Sequence, residues 1–158
     1  MSFSNELKRL CVLHNISIGV MESCTGGNIA VEITSVPGSS SYFKGGIVAY
    51  QNEVKINVLG LSEKIVSDYS EVSSQSVKEM ATNVLNIFNV DFSIATSGYT
   101  GPDGGTDLNP VGTVFIAVAH QYAVTVNRLS FLGDRKSITD QAVQSAFELL
   151  LSEIKKIR

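Results

Sequence analysis

The chain has 158 residues, 44% of them apolar and 17% charged, with a formal net charge of −3. That length is about one domain, the composition excludes a disordered chain, and the acidic balance excludes a basic nucleic-acid footprint. No apolar run approaches the ~20 residues that span a bilayer, and the N-terminal stretch, with Glu6, Lys8 and Arg9, lacks a signal peptide's continuous apolar centre.

In chain order, residues 5–14 place Leu7, Leu10 and Cys11 on one helical face. Residues 16–21 are a short apolar run that reads as a buried strand. Ser23-Cys24-Thr25-Gly26-Gly27 follows, then a helix over 28–35 that Pro37-Gly38 ends. Residues 42–51 read as a strand with an irregular entrance, because paired Gly45 and Gly46 suggest a bulge or close backbone approach. A short helix starts near Asn52 or Glu53. A longer one covers 73–89, where Val77, Met80, Ala81, Val84, Leu85 and Phe88 keep amphipathic spacing. Residues 91–97 form an apolar strand, and a loop from Gly98 to Gly105 follows. Strands over 111–119 and 123–132 meet at His120-Gln121-Tyr122 as an antiparallel hairpin. The last helix covers 135–157, with its stripe on Ala142, Val143, Ala146, Phe147, Leu150, Leu151 and Ile154. Helix and strand alternate first and a hairpin closes the chain, which predicts an α/β fold: a three-layer α/β sandwich with a mixed β-sheet.

Three glycine-containing loops, 23–27, 38–46 and 98–105, follow or flank these strands. Glycine lets backbone approach a ligand, and open α/β sheets bind ligands at strand ends. The loops therefore read either as one pocket or as ordinary turns. Ser23 follows a buried strand and opens toward a helix, a place suited to an oxyanion or a phosphate. It reads equally as a helix N-cap. His14 ends a helix and His120 ends a strand, so neither has a route to Ser23 and a Ser–His–Asp triad is disfavoured. A lysine base remains. Lys55 is the best candidate, provided Tyr50 ends a strand and Lys55 lies in the first turn of the next helix, so that both enter one cleft. Otherwise Lys55 is a solvated lysine and Tyr50 a half-buried strand residue. Cys24 reads as a small buried residue. Glu22, Asp103 and Asp107 have no positional support as an acid/base pair. Arg135 reaches an anionic ligand, pairs with Asp134 or lies on the surface. Two cysteines and two histidines are too few and badly spaced for a zinc site, so no metal and no cofactor are expected.

Taken together, several segments carry a resemblance. They are Glu22-Ser23-Cys24-Thr25-Gly26-Gly27, Pro37-Gly38-Ser39-Ser40-Ser41-Tyr42-Phe43, Gly46-Ile47-Val48-Ala49-Tyr50-Gln51-Asn52-Glu53-Val54-Lys55, Ser97-Gly98-Tyr99-Thr100-Gly101-Pro102-Asp103-Gly104-Gly105, Pro110-Val111-Gly112-Thr113-Val114 and Gly133-Asp134-Arg135. In this order, and over nearly the whole chain, they resemble the C-terminal domain of competence/damage-inducible protein A (CinA), the nicotinamide-nucleotide amidase family. The resemblance implies one amidase domain over residues 1–158. It implies hydrolysis of the carboxamide of nicotinamide mononucleotide to nicotinate mononucleotide and ammonia, without metal, by a serine, a tyrosine and a lysine that match Ser23, Tyr50 and Lys55. The expected substrate-binding residues are Thr25, Gly26, Gly27, Ser39, Ser40, Gly98, Gly101 and Arg135, and the expected oxyanion donors are backbone N–H groups at the start of the helix after Ser23. The nucleotide-pyrophosphatase activity of longer relatives is not carried over, because the chain starts directly at the amidase domain. Tyr99 is bulkier than its counterpart in the Thr-Gly-Ile-Ala-Gly-Pro version of its loop, which narrows the pocket. The alternatives are a non-catalytic nucleotide-binding module and an amidase for another small carboxamide. A cytoplasmic protein is expected, with a small-molecule substrate, no nucleic-acid or membrane partner, and apolar stripes that permit a homo-oligomer.

Overall fold

A computed structural model describes residues 1–157. The chain runs α1 (Phe3–His14), β1 (Ile18–Glu22), α2 (Asn28–Thr34), a 3-10 turn (Ser39–Ser41), β2 (Phe43–Val48), α3 (Asn52–Asn57), α4 (Glu63–Tyr69), α5 (Ser74–Phe88), β3 (Phe92–Gly98), β4 (Thr113–His120), β5 (Ala123–Ser130) and α6 (Arg135–Ile157). The strands form one sheet in the order β2-β1-β3-β4-β5. β1 is parallel to β2 and β3, whereas β4 is antiparallel to β3 and to β5. The expected mixed sheet and three layers are present.

The register explains the glycine pair. Ile18 faces Phe43 and Gly19 faces Gly45, so Lys44 is the extra residue of a bulge at the start of β2. Gly46 lies so close to β1 that a Cβ there would sit 2.6 Å from Val20 Cγ2. The element missed by periodicity is α4, a seven-residue helix whose N-cap Ser62 accepts from the Ile65 N–H. It buries no residue fully, so it leaves no apolar stripe to read.

Every residue of β1 is buried, as a central parallel strand requires. One sheet face carries branched side chains, Ile18, Val20, Ile94, Ile116 and Val118, against α1, α2 and α6. The other carries small ones, Ala95, Ala117 and Ala119, against α5. That face lets α5 settle deeply. Ser93 Oγ donates to the Ala81 carbonyl at 2.6 Å, and a Cβ on Gly19 would stand 2.9 Å from Phe88 Cδ2.

Connectivity then fixes where a ligand can enter. β1 leads through α2 to β2 on one side, and β2 leads back through α3, α4 and α5 to β3 on the other. The connections diverge at the carboxyl ends of β1 and β3, the switch point at which open α/β sheets form a crevice.

Gly98 closes β3 against β4. A Cβ there would lie 2.5 Å from the Thr113 carbonyl oxygen and 2.8 Å from Val114 Cα, both backbone atoms that cannot swing away. Gly98→Ala is therefore expected to destabilise the fold by about 1–3 kcal/mol, read as a lower urea midpoint at unchanged slope.

Candidate active site

The crevice at the switch point has a volume of about 220 Å³. It is lined by Ser23 and Cys24 after β1, by Tyr50, Asn52 and Lys55 after β2, by Glu71 and Val72 before α5, by Ser97 and Gly98 at the end of β3, by Tyr99 to Gly101 and Asp103 after it, and by Arg135 of α6. The serine, phenol and amine singled out from sequence thus share one cavity.

Each is positioned by its own piece of fold. The Ala49 N–H donates to the Glu22 carbonyl at 2.9 Å, which carries the chain beyond β2 alongside the end of β1. Tyr50 lies two residues past β2, and Lys55 is the fourth residue of α3. That is the strand-to-helix arrangement in which both enter one cleft. Ser23 is 6% exposed, and its N–H donates to Thr96 Oγ1 at 3.4 Å. Lys55 is 3% exposed and enters no salt bridge among the described residues. Burial pushes its ammonium below the ordinary range; the negative charge of Glu71 opposes that shift. Tyr50 is half exposed, and its oxygen accepts from Arg135 Nη2 at 2.6 Å. Arg135 Nη1 donates to the Gly101 carbonyl at 2.6 Å, so this arginine ties the mouth of the crevice across three segments rather than pairing with Asp134. Asp134 instead accepts from the Ser137 N–H in the first turn of α6.

Several expected binding residues stand elsewhere. Thr25 is fully buried and shares a hydrogen bond with Thr96, 2.9 Å between hydroxyls. Gly26 and Gly27 take positive φ, 60° and 100°, to turn the chain into α2, and neither lines the crevice. Ser39 and Ser40 sit before β2, and since Ile18 pairs with Phe43 they lie at the opposite end of the parallel strands from Ser23. Gly98, Gly101 and Arg135 do line the cavity. His120 pairs across the sheet with Phe92, at the end of the sheet away from Ser23, so no histidine reaches the serine from β4.

The expected oxyanion donors also change. Glu22 is wholly buried, and its carboxylate accepts from the Ile29 and Ala30 N–H groups at 2.9 and 3.0 Å. The start of α2 is satisfied from within, so an oxyanion has to find other amides. The backbone N–H of Cys24, next to the serine, is the nearest in sequence. The signal for Glu22 was present, as an acid six residues before a helix, but only the tight turn returns its side chain to that helix. Asn52, Ser97 and Thr100, which stand in the segments that carry the resemblance but were not nominated, also line the crevice, as does Glu71, which carried no sequence signal.

The site's thiol is inert. Burial pushes Cys24 up to about 12, and Cys11, in the core against α6, also up to about 12. Neither forms a thiolate near neutrality. Both are expected to resist a disulfide-exchange reagent at pH 8 in the folded protein and to react once it is unfolded in denaturant; a fast-reacting thiol in the native state would contradict the enclosure described above.

Comparison with known proteins agrees with this architecture. The family model of the CinA C-terminal domain matches residues 2–154. A CinA-like protein of Flavobacterium psychrophilum is 45% identical over 150 residues, covering 95% of this chain and 36% of the relative. A putative competence-damage inducible protein of Halothermothrix orenii is 41% identical, covering 98% of this chain and 38% of the relative. The chain thus spans a little over a third of the length of these curated relatives. Among solved structures, competence damage-inducible protein A of Klebsiella pneumoniae superposes with a TM-score of 0.94 at 31% identity, over 97% of this chain and 95% of that one. A CinA superfamily protein of Escherichia coli gives 0.91 at 30% identity, over 94% and 87%.

Proposed function

The chain belongs to the CinA C-terminal domain family, and from that membership we propose that it is a nicotinamide-nucleotide amidase, hydrolysing the carboxamide of nicotinamide mononucleotide to nicotinate mononucleotide and ammonia. The observation that carries the reading is Lys55: an amine 3% exposed, without an ion-pair partner among the described residues, in the same crevice as a buried serine. An ammonium in that place loses hydration that the charge of Glu71 restores only in part, so the free amine, which is a base, is more accessible there than on a solvated lysine.

In the proposed reaction Ser23 Oγ attacks the amide carbonyl carbon while neutral Lys55 takes the hydroxyl proton, directly or through the Tyr50 hydroxyl. Arg135 donates to the Tyr50 oxygen, which leaves the phenol's own proton free to pass on. The Cys24 N–H faces the developing oxyanion; one such donor is typically worth about 2.7–4 kcal/mol of barrier. The C–N bond then breaks, the nitrogen receives the proton from Lys55 or Tyr50, and ammonia leaves. Water attacks the nicotinoyl-serine ester with the same groups acting in reverse and restores Ser23. Arg135, at the mouth, is the cation suited to the ligand's phosphate.

Ammonia release from nicotinamide mononucleotide is the direct test. Ser23→Ala is expected to lower kcat by on the order of 10³-fold or more, and Lys55→Met by about 10²–10⁴-fold. Unchanged turnover in both variants would reject the serine–lysine reading, and a ligand bound intact over hours by the parent enzyme would favour a binding module.

A stability measurement tests the amine independently. The folded chain binds the Lys55 proton less tightly than the unfolded chain does. Between the lowered folded value and the ordinary 10.5, the unfolded state holds more protons, so stability from this group rises with pH across that window; below it the full penalty applies. Lys55→Met is therefore expected to be more stable than the parent at neutral pH, with the gap closing as pH approaches 10.5. A gap constant from pH 7 to 10.5 would mean that residue 55 contributes only packing.

A further inference from the structure

The crevice holds a carboxylate that the proposed hydrolysis does not use. Glu71 enters it from the connection between α4 and α5, and Tyr99 lines the same space from the loop after β3. One Glu71 oxygen, Oε2, accepts from Ser70 Oγ at 3.0 Å. The other accepts no hydrogen bond among the described residues, and neither oxygen lies within 4 Å of a cationic side-chain nitrogen there. Arg135, the cation at the mouth, bonds Gly101 and Tyr50 instead, and Lys55 feels the charge of Glu71 without forming a salt bridge to it.

The backbone that presents Glu71 is held from several sides. Ser97 Oγ donates to the Glu71 carbonyl at 2.8 Å and Asn109 Nδ2 to the Val72 carbonyl at 3.2 Å. Ser73 Oγ and Ser76 Oγ both donate to the Ser70 carbonyl, at 2.8 and 2.6 Å. Ser70 itself sits at φ 75°, ψ 158°, a region that only glycine enters without strain. A strained serine fixed by this many bonds, next to a cavity-lining acid with a free oxygen, is a built presentation of negative charge.

We propose that Glu71 is a specificity-determining residue of this crevice and that, with the Tyr99 ring, it selects carboxamides whose aromatic ring carries a fixed positive charge, that is N-substituted pyridinium carboxamides over neutral ones. The proposal rests on the amidase reading for the identity of the reacting group, not for the charge of the ring. The chemistry is twofold: a carboxylate attracts a cation in a partly dehydrated cavity far more than in water, and the face of an aromatic ring adds a cation–π attraction. Burial disfavours the ammonium of Lys55, which forms no salt bridge with Glu71, so the carboxylate is only partly compensated inside the cavity until a cationic ring arrives.

The test uses a matched pair of ligands, 1-methylnicotinamide, which is a cation, and 3-methylbenzamide, its neutral isostere, titrated calorimetrically into the parent enzyme, Glu71→Gln and Glu71→Asp. The parent is expected to bind the cation about tenfold more tightly. Glu71→Gln, which keeps the side chain's shape and its acceptor for Ser70, is expected to bring the ratio close to one, and Glu71→Asp to retain part of the preference. In turnover, Glu71→Gln is expected to raise KM for nicotinamide mononucleotide about tenfold. A parent without charge preference, no binding of either compound, or a preference unchanged in Glu71→Gln would overturn the proposal. Charge-selective binding with no ammonia from any carboxamide would overturn only the amidase reading, and ammonia release with the preference intact in Glu71→Gln would overturn only the role of Glu71.

Discussion

An amine withdrawn from water with no carboxylate at salt-bridge distance is the constraint around which this site is organised. Lys55 gives up its hydration at 3% exposure, and nothing among the described residues restores it as an ion pair. A lysine in an ordinary helix would turn outward and keep its charge in water at little cost, since long cationic stems snorkel readily. Here the helix is only six residues long, and its start is set by the short link from β2. Its fourth residue has no choice of direction, because Leu59 and Leu61 just beyond it are drawn into the core beneath α5. The fold thus holds the amine where the ammonium is disfavoured, and burial raises the share of it present as free base.

The sheet's two unlike faces make this placement affordable in space. The alanine and serine face admits α5 closely, so the connection leading into α5 reaches the carboxyl ends of β1 and β3 and brings Glu71 with it. The branched face packs α1, α2 and α6, and so sets the start of α6, with Arg135, over the opposite lip. Acid and guanidinium therefore arrive from opposite layers of the sandwich. Each is fixed by bonds to other segments, Glu71 through Ser70 and, at its backbone carbonyl, Ser97 of β3, Arg135 through Gly101 and Tyr50 in the loops after β3 and β2.

What was legible in the sequence follows from how local each signal is. The long helices and the hairpin were read to within a few residues because their periodicity lies in adjacent turns, and α6 was read to its ends. The bulge in β2 was legible because Gly45 and Gly46 announce it directly. Tyr50 and Lys55 could be nominated because a strand end and a short helix bring residues five apart in sequence into one cleft, and Ser23 because it follows a buried strand and opens toward a helix. By contrast, α4 has no buried stripe, and Ser39 and Ser40 looked like phosphate ligands because a glycine-serine loop gives no hint of which end of a parallel strand it occupies. The roles of Glu22, whose place before a helix was visible, and of Glu71, which gave no signal, escaped for one reason: each acts on groups that only the tertiary fold puts beside it.

Those two acids divide the electrostatic labour of the site. Glu22 faces away from the crevice and satisfies the amides that begin α2, two charge-assisted bonds in a fully buried place. Were it absent, those amides would offer a generic anion site a few residues from Ser23, and a phosphate could compete for the place where a carboxamide has to react. Filling that helix end internally leaves the peptide beside the serine as the nearby donor and Arg135 as the cation at the mouth. Under the proposed function, an anionic ligand group is drawn outward to Arg135 while the reacting carbonyl goes inward to Ser23. In the proposed reaction the guanidinium at the mouth and the carboxylate lining the crevice orient an elongated ligand, and both reach the proton path, Arg135 through its bond to the Tyr50 oxygen and Glu71 through its charge on Lys55.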